Sequence, residues 1–320
     1  MAKPVQLKTL YDCHRERSLF FHDKQLMLHV ASWHKFARAT SDMTVTVIGT
    51  PPEHVRRFVE KLGGRFEYRS ERHPLQHRSV IYNKHLSAPA EGAQDRIYLS
   101  DNDTVYLSDT AALAAYESHT VGVSPPDNRR VSPELWAELR SDLDLPVLEF
   151  EWVPQKEAGT AYVEGRAPIT ERYAYFNGGA ILFPAGREFW DIWEGYTYKL
   201  SRYFESRGMN DRRDAGSDQL SLTAAVADYG DWKYMPQSFN VRPFQFWLPG
   251  GVGDRVDHIH MVNTGRAYKA LPEDSNQSFS ALMDKYWEIF FLENVHPDYR
   301  VEVQRIRGVV ADLIQDYGLE

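Results

Sequence analysis

Cysteine is nearly missing from this chain: Cys13 is the only one in 320 residues. One thiol excludes an intrachain disulfide and a cysteine-rich zinc site, and it fits a reducing compartment. Long apolar runs are missing as well. No stretch approaches the ~20 apolar residues that a membrane span needs. Residues 1–17 hold no apolar run resembling a signal peptide. The expectation is a cytoplasmic protein with no membrane span. Positive charge is in deficit, with 37 Lys and Arg against 45 Asp and Glu, and the net charge of −8 argues against wrapping a polyanion. A small basic pocket for a diphosphate remains compatible with that balance. No internal repeat and no low-complexity tract is present.

What is there suits a globular α/β protein of one large domain or two modest ones. Residues 18–21 read as a short buried strand ending at His22-Asp23, and residues 24–38 as a helix with Leu26, Val30, Trp33 and Ala37 on its apolar face. Met43 to Ile48 is a β-branched strand. Pro52 suits the first turn of a helix that buries Val55, Phe58, Val59 and Leu62 before Gly63-Gly64 stops it. Residues 65–68 form another short strand. This strand–helix rhythm implies parallel pairing through crossovers. Residues 79–86 look helical, residues 96–100 and 104–108 look like strands, and residues 155–170 read as a mobile loop. Two long amphipathic helices follow, one through Phe189, Trp190, Trp193, Tyr196, Leu200 and Tyr203, the other through Val303, Ile306, Val310, Leu313 and Tyr317.

Four constellations can carry chemistry. Asp101 and Asp103 stand two apart just past a strand, which aims both carboxylates to one side. Two hard oxygen donors at the edge of an open α/β sheet suit Mg²⁺ or Mn²⁺ with positions left for a diphosphate. The plainer reading is a β-hairpin turn, since Asn and Asp favour turns and matching strand-like runs flank the triplet. Asn177-Gly178-Gly179 precedes an apolar strand; it is either a close-approach corner offering an amide or a plain turn. Asp218-Gln219 follows Ser217, which can cap a helix running to about Tyr229, so both sit in the first turn, facing a ligand or simply as an acidic helix start. His258 and His260 alternate on a strand and can reach a metal or phosphate, or be satisfied within the protein.

Taken in order, these phrases resemble the retaining GT-A glycosyltransferases of family eight, the group containing glycogenin and bacterial lipopolysaccharide galactosyltransferases. The order is a hydrophobic strand into Asp101-Asn102-Asp103, then Phe176-Asn177-Gly178-Gly179, then Asp218-Gln219, then Pro236-Gln237-Ser238-Phe239-Asn240-Val241, then His260 with Gly265 and Lys269. The resemblance spans about residues 18–270. It implies a GT-A fold, with a mixed, mostly parallel central sheet flanked by helices over residues 1–270 and a helical extension over 271–320 packed on it. It implies a sugar transferred from a nucleotide-diphosphate sugar, UDP first among candidates, to an unidentified acceptor (glycan, protein, small molecule or modified nucleic acid), with retention. By the same resemblance, Asp101, Asp103 and His260 bind Mn²⁺ or Mg²⁺, with His258 as the alternative to His260. Asn102 lies near the ribose, Asp23 reads the base and ribose, Lys84 is the basic residue near the donor, Lys269 faces the diphosphate, and Gly178 and Gly265 belong to the donor-binding set. Asn177, Asp218 and Gln219 surround the transferred sugar and the acceptor as the catalytic set.

Three departures from the family pattern stand out. Ser100 replaces the acidic residue often found before the first metal carboxylate, the stretch from His260 to Lys269 is long, and the N-terminal strand phrase is atypical. Competing classes are a noncatalytic nucleotide-sugar or carbohydrate binder of the same fold and a nucleotidyltransferase, which would want a Gly-rich basic loop that residues 18–49 lack. A DNA-modifying transferase would use Arg129-Arg130 or Arg212-Arg213. Acceptor contacts are expected from residues 156–170, 206–215 and 244–253, with Trp247 able to stack on a sugar. The last helix suits capping the domain or forming a homodimer.

Overall fold

The first strand is β1, Val5–Asp12, rather than the expected run at 18–21. Its Gln6 and Lys8 interrupt the apolar pattern, yet both are partnered inside: Gln6 Nε2 donates to Thr44 Oγ1 at 2.9 Å, and Lys8 Nζ meets Glu67 Oε2 at 2.7 Å. A buried charge is tolerated because it is paired. Residues 19–21 open helix α1, Leu19–Ser32, so Asp23 belongs to a helix and Asp12 ends the first strand.

This computed structural model describes residues 5–13, 19–90, 92, 96–124, 132–146, 149–152, 171–173, 176–211, 217–247, 249–262, 264–271, 278–292 and 294–320. The expected loop at 155–170, the arginine pairs 129–130 and 212–213, and residues 212–215 of the 206–215 segment lie outside the described residues.

Beyond β1 the strands are β2 (Ser41–Ile48), β3 (Arg65–Arg69), β4 (Ile97–Ser100), β5 (Thr104–Tyr106), β6 (Val121–Ser124), β7 (Glu149–Trp152), β8 (Glu171–Tyr173), β9 (Asn177–Leu182), β10 (Trp232–Tyr234) and β11 (His258–His260). Seven form the main sheet in the order β10-β6-β9-β4-β1-β2-β3. β9 runs antiparallel to β4 and β6, and the other pairings are parallel. β11 pairs with β5, and β7 with β8, as separate two-stranded ribbons.

The helices are α2 (Glu53–Lys61), α3 (Pro133–Leu143), α4 (Glu188–Ser206), α5 (Ser217–Tyr229), α6 (Thr264–Lys269), α7 (Phe279–Trp287) and α8 (Arg300–Asp316). The expected helix at 79–86 is a 3₁₀ segment, Val80–Ser87. Strand alternation divides the apolar residues between two cores. Tyr98, Ala180 and Leu182 face the layer built by α1, α2, α7 and α8, while Ile97, Leu99, Ile181 and Phe183 face α4 and α5. Val303, Ile306, Val310 and Leu313 of α8 enter the same core as β1 and β2, which settles which face of that helix is covered. Among the described residues no helix is long and apolar enough to cross a membrane.

Candidate metal and donor site

The chain runs from β1 to β2 and β3 on one side, while β4 pairs with β1 on the other. The strand order therefore reverses between β1 and β4, where open α/β sheets form a ligand crevice beyond the strand ends. Asp12 closes β1 and Asp101 follows β4 directly.

The Asp101–Thr104 segment is a turn, closed by Thr104 N–H donating to the Asp101 carbonyl at 3.0 Å. It is not a hairpin turn. β4 pairs with β1 and β9, whereas β5 pairs with β11, so the turn hands the chain from one sheet to another. Asp101 N–H donates to Gly179 C=O at 3.0 Å, and the Asp103 carbonyl accepts from Met261 N–H at 2.8 Å. Below the turn, His29 Nδ1 donates to Thr104 C=O at 2.7 Å. Ser100 takes up Tyr106 OH at 2.9 Å, which gives this buried hydroxyl a structural duty.

The register of β11 on β5 sets the two histidines apart. His260 lies opposite Thr104 and next to Asp103, and His258 lies opposite Tyr106. His260 Nε2 stands 3.1 Å from Asp103 Oδ1 and 3.6 Å from Asp101 Oδ2. Asp101, Asp103 and His260 offer ligand atoms that all lie within 4.8 Å of one another. His258 is enclosed by Tyr98, Tyr106 and Phe239, with Nδ1 3.1 Å from Tyr98 OH, and burial pushes its pKa down to about 3.

The donor set fits a divalent cation. Asp103 Oδ1 is buried and makes no well-formed hydrogen bond, with His260 Nε2 at 3.1 Å its near neighbour. Two carboxylates and one imidazole converge there, a mixed oxygen–nitrogen set suited to Mn²⁺ or Mg²⁺. Burial disfavours the charged imidazole, but Asp103 and Asp101 outweigh it and raise the His260 pKa. For Asp103, His260 and Lys84 outweigh burial and lower it.

Lys84 comes from the 3₁₀ segment and reaches the same place. Its Nζ lies 2.8 Å from Asp101 Oδ1, 2.8 Å from Gly178 C=O and 3.5 Å from Asp218 Oδ2. Asp101 thus gives one oxygen to Lys84 and turns the other toward His260. Burial opposes the ammonium, but Asp101 and Asp218 prevail and its pKa rises. Asp218, in the first turn of α5, has its pKa raised by burial, with Asp101 adding to the rise and Lys84 opposing it. Gln219 follows it, with Oε1 buried and unpartnered.

The two glycines of β9 are demanded by space. A Cβ on Gly178 would stand 2.6 Å from Asp218 Oδ2, and one on Gly179 would stand 2.2 Å from His260 Cε1. Asn177 Oδ1 accepts from Gly179 N–H at 2.8 Å and from Asn240 Nδ2 at 3.0 Å.

The structure therefore brings together Asp101, Asp103, His260, Lys84, Gly178, Asn177 and Asp218, with Gln219 beside Asp218. Asn102 borders a small cavity with Asp103, Gln25, Met261 and Thr264. Gly265 and Lys269 lie exposed on α6, and no described contact joins either to the cluster. Asp23 is not at a strand end; it bonds Tyr11 OH and lies 3.1 Å from His54 Nε2. Sequence reasoning missed Asp12, which holds Arg72 at 3.2 Å and Asn83 at 3.4 Å. The alternation Val5-Gln6-Leu7-Lys8 was the available signal, broken at Thr9 before the chain reaches Asp12. It also left Asn240 without a role, although the residue stood in a quoted phrase. Trp247 donates its indole N–H to Phe290 C=O at 2.7 Å, so its polar edge is engaged within the protein.

No protein-family model matches the chain, and no curated protein matches it in sequence. Among solved structures it is similar to the galactosyltransferase LgtC in complex with donor and acceptor sugar analogues, at TM-score 0.51 and 14% identity, over 93% of this chain and 100% of that one. Mouse xyloside xylosyltransferase 1, in its apo form, aligns at TM-score 0.48 and 12% identity over 80% of this chain and 97% of that one. The fold is GT-A: a mixed, mostly parallel sheet between helical layers.

Proposed function

We propose that this chain is a divalent-cation-dependent glycosyltransferase that takes a sugar from a nucleotide-diphosphate sugar, UDP first among candidates, and transfers it with retention. The observation that carries the reading is the Asp101–Asp103–His260 cluster at the crevice where the strand order reverses. These three residues would hold Mn²⁺ or Mg²⁺, which supplies positive charge against the departing diphosphate when bound.

The chain's own residues divide the remaining work. Lys84 fixes one oxygen of Asp101 and steadies Asp218, tying the metal motif to the sugar side. Asp12, at the end of β1, would read the nucleoside, with Arg72 and Asn83 orienting its carboxylate and Asp23 holding Tyr11 beside it. Asn102 would face the ribose, and Gly265 and Lys269 would meet the diphosphate from α6. In the transfer the bond between anomeric carbon and phosphate oxygen breaks, and an acceptor oxygen bonds that carbon from the same face. The acceptor proton passes to the leaving diphosphate. Asp218 would stabilise the oxocarbenium-like centre, and the unpartnered Gln219 Oε1 would orient the acceptor hydroxyl.

The test is nucleoside diphosphate release from UDP- and GDP-sugars with Mn²⁺, Mg²⁺ or EDTA. Release with one donor, abolished by EDTA and by Asp103→Ala, is expected. Full activity of D103A refutes the metal assignment. Cation-dependent binding of a donor with no release under any condition favours a noncatalytic binder.

A further inference from the structure

The hydrogen bonds behind His260 have a determined direction. Gly179 N–H can only donate, so the atom it meets on Asn177 at 2.8 Å is the amide oxygen. The same oxygen accepts from Asn240 at 3.0 Å, so the Asn240 atom facing it is the NH₂ group. Asn240 then turns its own oxygen to His260 Nδ1, 3.1 Å away. An oxygen there only accepts, so Nδ1 carries the proton, and Nε2, which faces Asp103 and Asp101, is the nitrogen left to bind a cation. All four groups are buried in one connected chain.

We infer that Asn177, Gly179 and Asn240 form a relay that locks His260 in the Nδ1–H tautomer, so that Asn177 serves the cation from behind rather than the sugar in front. This rests on the proposed metal site and moves Asn177 out of the set expected around the sugar and the acceptor. Gly179 acts three times: its N–H starts the relay, its carbonyl holds the Asp101 backbone, and its missing Cβ makes room for the imidazole ring. Neither asparagine need touch the ion. Each is a positioning residue, acting as outer partners of metal-bound histidines generally do.

The variants separate this relay from a sugar contact. Asn177→Asp keeps an oxygen for both donors, so it retains cation binding at least as tight as wild type. Asn177→Ala frees the Asn240 amide to rotate and present its NH₂ to His260, which favours the Nε2–H tautomer. MnCl₂ binding without nucleotide, measured calorimetrically at pH 8, should weaken about 10- to 100-fold in N177A. In ¹⁵N-histidine-labelled wild type loaded with Mg²⁺, the His260 signal, assigned by its loss in His260→Gln, should show a protonated Nδ1 and a coordinated Nε2. N177A that is folded by circular dichroism yet binds Mn²⁺ like wild type overturns the relay alone. A deprotonated Nδ1 in loaded wild type overturns it without any variant. Wild type that binds neither Mn²⁺ nor Mg²⁺ overturns the relay and the metal site together.

Discussion

Replacing Gly179 with alanine tests the tightness of the metal site directly. The glycine is outside the left-handed region, so alanine meets no backbone penalty there. The conflict lies with the side chains: the new Cβ would stand 2.2 Å from His260 Cε1, 2.7 Å from its Nδ1 and 2.9 Å from Asn177 Oδ1. Ordinary carbon contact is about 3.5 Å, so the ring must retreat by roughly 1.3 Å. Metal–ligand distances tolerate about 0.2 Å, so a retreat of that size removes His260 as a ligand. A 10- to 100-fold weaker Kd is the expected scale.

The assay is thermal or chemical unfolding with and without Mn²⁺. At a cation concentration of about 100 times the wild-type Kd, binding stabilises wild type by about 2.7 kcal/mol. The same concentration would stabilise Gly179→Ala by only about 1.4 to 0.4 kcal/mol. Gly178→Ala is the matched control, because its Cβ meets Asp218 at 2.6 Å and leaves His260 alone. It should keep the cation response and lose turnover. A folded Gly179→Ala protein with the full wild-type cation response would refute the reasoning.

Three further outcomes follow from the geometry. Lys84→Met leaves Asp101 and Asp218 facing each other without the ammonium between them; breaking such a buried pair costs about 3–5 kcal/mol, and the already raised Asp218 pKa should climb further, moving the acid limb of the pH–rate profile upward. Asp12→Ala should weaken nucleoside diphosphate binding about tenfold or more while Mn²⁺ binding without nucleotide stays at wild-type strength, as read by calorimetry. His29, His85 and His258 are buried neutral, with burial holding their pKa values at about 4, 3 and 3 against an ordinary 6.5. The unfolded chain therefore takes up protons first, so stability holds above about pH 6.5 and falls as pH drops toward the folded values, by ~1.4 kcal/mol per unit for each group; His258→Phe, set among Tyr98, Tyr106 and Phe239, should flatten that limb in urea titrations between pH 7 and 4.

The sequence was most legible where chemistry and strand pattern coincide. Asp101 and Asp103 follow an apolar strand at a spacing that only a turn or a metal site explains, and the separate pairings of β4 and β5 decide against a hairpin. β1 was hidden because Gln6, Lys8 and Thr9 break its apolar pattern, and the burial of Lys8 depends on a partner as distant as Glu67. The apolar run at 19–21 belongs to a helix whose following turns carry the same kind of residue, and periodicity over so few positions does not separate the two. His258 and His260 share a strand face, so alternation alone leaves them equal. Cross-strand register separates them, placing an aromatic opposite one and the acidic turn beside the other. Asn240 sits in a short loop with no period at all, and its role exists only through Asn177 and His260.

The reversed direction of β9 has a consequence for how such a protein diversifies. Its head at Asn177 lies at the same rim of the sheet as the tails of β4 and β6. The chain that leaves after Ser124 therefore returns at Asn177 beside its point of departure, and both roots sit at the crevice. The segment between them carries the β7–β8 ribbon and α3, whose Trp136 and Leu139 pack with Leu200, Phe204 and Leu220 of α4 and α5. Outside α3, changes in that segment touch no strand of the main sheet, so the rim beside Asp101, Asp103 and His260 can be reshaped while those three residues keep their positions.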